Sequence, residues 1–151
     1  MSDPTLKLDR IRFRQQLTLH EGRRLFPYPD SMGKLTIGVG HNLTDNGISE
    51  PVCDLLLEED IDRHVRGLAD AWPPFFALDE VRARVVADMA FNLGVHGLLE
   101  FKRTLTAIEE QRYDDAARYM LESKWAKQVG IRARRLSRMM ATGRDYKLVG
   151  T

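Results

Sequence analysis

A single cysteine, Cys53, among 151 residues excludes any disulfide within the chain, so burial of apolar surface alone has to hold the fold. A lone thiol reads as core packing, because apolar neighbours raise its pKa and keep it unreactive. Long apolar runs are also lacking. The longest fall far short of a bilayer span, and Met1-Ser2-Asp3-Pro4 has neither the basic nor the apolar region of an export signal. A soluble product made in the cytoplasm is therefore expected, with no stable membrane insertion. There is no repeat and no low-complexity stretch. The four histidines and Cys53 form no cluster at metal-ligand spacing, so neither metal nor cofactor is expected. What remains, 43% hydrophobic and 30% charged residues, suits one soluble domain, 1–151, large enough to bury a core and expected to be a monomer.

Excess charge of either sign is lacking as well, since the net charge is +1, but the charge is unevenly laid out. From Lys124 onward, eight basic residues (Lys124, Lys127, Arg132, Arg134, Arg135, Arg138, Arg144, Lys147) face one acid, Asp145, and the rest of the chain is net acidic. Such an end is built to meet an anion, and nucleic acid, an anionic cell wall or an acidic partner would each satisfy it, as would a merely solvated helix face. No motif that reads nucleic acid accompanies the run, so a nucleic-acid partner is not expected.

Along the chain, Phe13 and Leu17 one turn apart predict a first helix ending near Glu21-Gly22 and before Pro27. The texture then changes. Pro27 and Pro29 bracket Tyr28, Asp30-Ser31-Met32-Gly33 reads as a turn, and Leu35-Thr36-Ile37-Gly38-Val39-Gly40 leans to β, which predicts a small hairpin or sheet. Asn42 to Gly47 reads as a polar loop. Ser49 suits an N-cap and Pro51 a first turn, before Cys53, Leu56, Leu57, Ile61, Val65 and Leu68 recur at helical spacing. Asp60 and His64 fall on that apolar stripe four residues apart and should be paired there. Trp72-Pro73-Pro74-Phe75 breaks the chain, and Asp79 can cap a helix, apolar nearly all round, that runs through Leu93 to a stop at Gly94. Further helices follow around Phe101 to Ile108, from Asp114-Asp115 to a closing Lys124, and from Ile131 to Thr142-Gly143.

The chemistry concentrates in His20-Glu21-Gly22, Tyr28-Pro29-Asp30 and Leu35 to His41. A carboxylic acid at a helix end and a second on a facing loop, with the Thr36 hydroxyl on the strand beyond, can converge on one cleft. Glycosidic hydrolysis needs such a pair: one carboxyl protonates the leaving oxygen while the other side activates or stabilises attack at the anomeric carbon. Gly38 and Gly40 would let backbone approach a sugar ring. Surface acids and a structural threonine would look the same by spacing alone.

The spacing Glu21-(eight residues)-Asp30-(five residues)-Thr36, inside Leu35-Thr36-Ile37-Gly38-Val39-Gly40-His41, resembles the Glu/Asp/Thr signature of T-even-type phage lysozymes, glycoside hydrolase family 24. Met89-Ala90-Phe91-Asn92-Leu93-Gly94, Ser123-Lys124-Trp125 and Arg132-Ala133-Arg134-Arg135 follow in that family's order, and the resemblance covers about Phe13 to Tyr146. It implies an α+β, mostly α, lysozyme-like fold. A small β-hairpin lobe (about 22–58) and a larger helical lobe (about 1–21 and 59–151) would be joined by a long helix, with the active-site cleft between them.

It also implies roles. Glu21 would be the general acid, Asp30 the carboxylate on the opposite face and Thr36 a holder of the attacking water, with inversion at the anomeric carbon. Gly38, Asn92 and Arg132 would bind substrate, Arg132 also pairing with Glu21, and His41 and Asp60 would form a structural ion pair. The implied substrate is bacterial peptidoglycan, cut between N-acetylmuramic acid and N-acetylglucosamine. Cytoplasmic accumulation until lysis would call for a holin to reach the periplasmic wall. A lytic transglycosylase and a non-catalytic wall-binding module of a particle are the alternatives. Two departures stand out: residues up to about Arg10 are an extension, and the segment from Gly40 to Ser49 is shorter than in members that carry an extra helix there.

Overall fold

The computed structural model describes residues 3–146, so Lys147 of the basic segment lies outside the described residues. The chain divides into two compact units, Met1–Leu55 and Leu56–Thr151. The first helix and the three strands all fall within the first of these units.

In the first unit, a 3₁₀ turn at Pro4–Lys7 precedes helix α1, Arg10–Glu21. Asp9 caps α1 by accepting the Arg12 N–H at 3.0 Å. Gly22 stops it, with φ of 76°, a conformation that a side chain would strain. Three antiparallel strands follow, β1 (Arg24–Pro29), β2 (Leu35–Gly38) and β3 (His41–Asn42), with β2 in the middle. In register, Tyr28 lies opposite Thr36, and Thr36 opposite Asn42.

The polar stretch expected as loop is instead a one-turn helix, α2, Leu43–Asn46. Asn42 caps it by accepting the Asp45 N–H at 3.0 Å, while the Thr44 hydroxyl accepts the Leu35 N–H at 2.8 Å and clips the turn to β2. Helix α3, Glu50–Ala71, then carries the chain into the second unit; its first helical bond runs from the Cys53 N–H to the Ser49 carbonyl. Cys53 itself is exposed, not packed in a core as expected, because it falls on an α3 turn whose neighbours Val52, Leu55 and Leu56 are also exposed.

The second unit is helical: α4 (Glu80–Leu99), α5 (Lys102–Glu109), α6 (Tyr113–Glu122), α7 (Lys124–Val129) and α8 (Ile131–Thr142). Asp79 caps α4 as expected, accepting the Arg82 N–H at 3.1 Å. Gly94, with φ of 76° and ψ of 157°, breaks α4 where the sequence ends it, but the chain re-enters helix up to Leu99. Lys124 does not close α6. Ser123 caps a separate helix, α7, through a 3.1 Å bond from the Ala126 N–H, so Lys124 is its first residue.

The core gathers Leu68 of α3, Val85, Val86 and Met89 of α4, Ile108, Met120, Trp125 and Met140, all essentially inaccessible to water. The apolar side chains of α5, α6 and α8 fall on one face of each helix, which is why those helices bury it. Among the described residues, no helix is long and apolar enough to cross a membrane.

Candidate active site

Gly22 fixes where α1 ends and so leaves Glu21 as its last residue, one turn beyond Thr18, whose carbonyl takes the Gly22 N–H at 2.9 Å. The Glu21 side chain lies over Gly40, in the turn between β2 and β3. A Cβ at Gly40 would stand 3.0 Å from Glu21 Cδ and Oε2, closer than carbon atoms pack. Gly40 thus makes room for the Glu21 carboxyl. Gly38, at the end of β2 with φ of 69°, has nothing within 4 Å of where its Cβ would be, and its face is open.

Asp30 and Thr36 are tied to one residue's backbone. Asp30 Oδ1 accepts the Met32 and Lys34 N–H groups, both at 2.8 Å, which sets the carboxylate's orientation with Oδ1 committed. The Lys34 carbonyl in turn accepts the Asp30 N–H at 2.8 Å and the Thr36 hydroxyl at 3.0 Å. Thr36 is 4% exposed, in the middle strand. Its hydrogen is given to Lys34, so the oxygen is left as an acceptor. Lys34 is the residue that spacing missed. Its side chain is also held, by Asp45 Oδ1 at 2.9 Å, which joins the Asp30 turn to α2. The structure thus gathers Glu21, Asp30, Thr36 and Gly38 on one small unit, around β2.

The remaining predicted residues have partners of their own. His41 bonds the Gly47 carbonyl through Nε2 at 2.5 Å; a carbonyl only accepts, so Nε2 carries the hydrogen. Asp60 is ion-paired to Arg63, one turn on, and His64 Nδ1 bonds the Asp60 carbonyl at 2.7 Å. The pairing expected of Asp60 and His64 therefore runs through backbone, and the Asp60 charge is met by Arg63. Arg132 holds Asp88, with Nη2 to Oδ1 at 2.6 Å and Nε to Oδ1 at 2.7 Å. Asn92 is exposed, and its Oδ1 accepts the indole N–H of buried Trp125 at 2.7 Å. Among the described residues, no three His, Cys, Asp or Glu side chains group as a metal site would.

An acid beside a glycine turn, and a backbone-fixed carboxylate sharing one residue's backbone with an acceptor hydroxyl, are parts with which a glycosidase can protonate a leaving oxygen and activate water. The profile of the family described as phage lysozyme matches residues 18–140, so the chain belongs to that family, and its activity is glycoside hydrolysis of the lysozyme type, on peptidoglycan. "Probable T4-type lysozyme 1" of Dictyostelium discoideum is 27% identical over 86% of this chain and 94% of its own length. "Probable T4-type lysozyme 2" of the same organism is 26% identical over 89% and 97%. The "Pre-baseplate central spike protein Gp5" of Enterobacteria phage T4 is 27% identical over 85% of this chain, which corresponds to 27% of that longer protein.

Proposed function

We propose that this lysozyme cleaves the β-1,4 bond between N-acetylmuramic acid and N-acetylglucosamine with inversion, in the service of host-cell lysis. Glu21 gives its proton to the glycosidic oxygen as the bond to the anomeric carbon breaks. A water attacks that carbon from the opposite face and loses its proton to Asp30, so the product leaves as the α-anomer with one water consumed.

The observation that carries this reading is the shared Lys34 backbone. Asp30 Oδ1 is held by two N–H groups, which leaves Oδ2 for the water. Thr36, its hydrogen committed to the same residue, takes a hydrogen from that water and turns a lone pair to the sugar. On the second unit, Asn92 has Oδ1 tied to Trp125, so its amide N–H groups are the ones left to offer. A lytic transglycosylase would need no water-activating Asp30, and its anhydro-muramic product differs in mass by one water.

Mass spectrometry of muropeptides released from purified peptidoglycan separates the two. Hydrated ends from the native chain, lost in Glu21→Gln, support the proposal; anhydro ends, or undiminished release by Glu21→Gln, overturn it. A second reading, a lysozyme carried on a phage particle, is favoured by the similarity to the central spike protein. Co-sedimentation with purified particles distinguishes it from a free lysis enzyme.

A further inference from the structure

The basic run at the end of the chain has no part in the chemistry above, and its placement is specific. Arg134, Arg135 and Arg138 of α8, together with Arg144, line one groove of about 630 Å³. Gly143, in the left-handed conformation with φ of 66°, ends α8, and the Arg144 N–H bonds the Thr142 hydroxyl at 3.1 Å, so the chain folds back and Arg144 faces the same groove. All four side chains are exposed.

Their charges are not spent within the described residues. Asp145, the acid in the groove's lining, is held by Arg84 at 2.8 Å, and neighbouring Arg132 is neutralised by Asp88. None of the four arginines stands in an ion pair among the described residues. Arg134 and Arg138 are one turn apart on the same helix face, an arrangement of like charges that weakens a helix. Its repulsion is relieved by a counter-charge from outside.

We infer that this groove binds the free carboxylates of peptidoglycan stem peptides and so holds the enzyme on its insoluble polymer; the inference rests on the peptidoglycan reading above. Guanidinium forks match carboxylates bidentately, and a repeating polymer presents many carboxylates to a cluster of forks. Holding the polymer at a second place raises the local concentration of bonds to be cut and leaves the chemical step unchanged. The groove suits the other polyanions less well. Its one aromatic ring among the described residues, Tyr146, lies 5.2 Å from the Arg135 guanidinium and is no platform for stacked bases. Among the described residues, Ile131 is the one large aliphatic side chain in the lining, too little to enter a lipid surface.

The test compares the native full-length chain with an Arg134→Gln/Arg138→Gln/Arg144→Gln variant, and with Arg144→Gln alone, which leaves α8 untouched. Binding is read by sedimentation in a Glu21→Gln background, with intact sacculi, sacculi stripped of stem peptides by an amidase, phosphatidylglycerol vesicles and duplex DNA. Removing three exposed guanidinium forks together weakens binding to intact sacculi roughly 5- to 10-fold, and the single change weakens it about 2-fold. The difference disappears on stripped sacculi and as salt rises. With Glu21 present, KM on intact sacculi rises by the same factor and kcat holds. Equal binding of all forms to intact sacculi, an equal loss on stripped sacculi, or a greater loss on vesicles or DNA overturns the inference. If the native chain releases no muropeptides at all, the peptidoglycan reading itself fails; release with an unchanged KM in the triple variant sinks the groove alone.

Discussion

Replacing Gly40 by alanine puts a methyl carbon 3.0 Å from Glu21 Cδ and Oε2 and 3.1 Å from its Cγ. Carbon atoms pack at about 3.5–4.0 Å, so the carboxyl has to retreat by roughly 0.5–1 Å. The end of a glutamate side chain moves cheaply, so the retreat costs little stability. The backbone is another matter. Gly40 has φ of 67°, and alanine in the left-handed region loses about 1–2 kcal/mol. Gly38→Ala is the matched control: its φ is 69° and its Cβ would meet nothing within 4 Å, so it shares the backbone strain without the crowding. Both variants should therefore melt earlier than the native chain by similar amounts. Their turnover should differ. A proton donor misplaced by most of an ångström costs on the order of 10- to 100-fold, which falls on kcat of Gly40→Ala, whereas Gly38→Ala keeps kcat within about 3-fold and shows any weakened sugar binding in KM. Initial rates on purified peptidoglycan, with melting curves for all three proteins, provide the comparison. Equal kcat in the two variants would refute the claim that Gly40 exists to seat Glu21.

Asp30→Asn keeps a side-chain oxygen for the Met32 and Lys34 N–H groups but removes the base, so kcat falls about 10²- to 10⁴-fold at unchanged Tm; a drop in Tm with activity retained would contradict its assigned role. Arg82 is 15% exposed, bonds the Met140 and Ala141 carbonyls at 2.7 and 3.1 Å at the end of α8, and lies 3.6 Å over the Tyr113 ring. Arg82→Ala should cost about 2–4 kcal/mol in urea unfolding, since it strands helix-end carbonyls and a ring face; a loss under about 1 kcal/mol would show that water replaces it. The Arg112 hydrogen bond holds the Asp115 carboxyl below the usual aspartate range, and the Arg84 hydrogen bond does the same for Asp145. Lowered folded-state pKa values mean stability that is present above about pH 4 and is lost as pH falls through them. Tm should decline on acidification below that point and decline less in Asp115→Asn/Asp145→Asn, with the difference shrinking in salt because both acids are exposed. A pH-independent gap between the two proteins would contradict this.

Much of the local structure can be read from the residues because its causes are local. Gly22 after Glu21 marks the end of α1, Asp79 caps α4, and Gly143 ends α8, each through bonds within a few residues. Two local signals are present but outweighed by composition. Asn42 with Asp45 is a capping pair, which makes α2 a helix where polar composition suggests loop. Ser123 caps α7, which takes Lys124 from the end of α6 to the start of a new helix. Arg63, three residues after Asp60, is also within reach of spacing arguments.

The site divides in the same way. Glu21, Asp30 and Thr36 stand out by motif, but what positions them joins residues distant in sequence or runs through backbone. Gly40 leaves room for Glu21 across nineteen positions, and Lys34 joins Asp30 to Thr36 with its backbone N–H and carbonyl, so no property of the lysine side chain announces it. Arg132 meets Asp88 forty-four residues away, a pairing that no periodicity encodes.

The central claim, that Glu21 protonates the leaving oxygen while Asp30 drives water onto the opposite face, is tested most directly by the anomeric configuration of the first-formed product. Proton NMR of reducing ends released by the native chain, recorded before mutarotation, should show the α-anomer, and Asp30→Asn should abolish its appearance. A first-formed β-anomer would contradict the account, because it would require a covalent or substrate-assisted intermediate in place of the water held by Asp30 and Thr36.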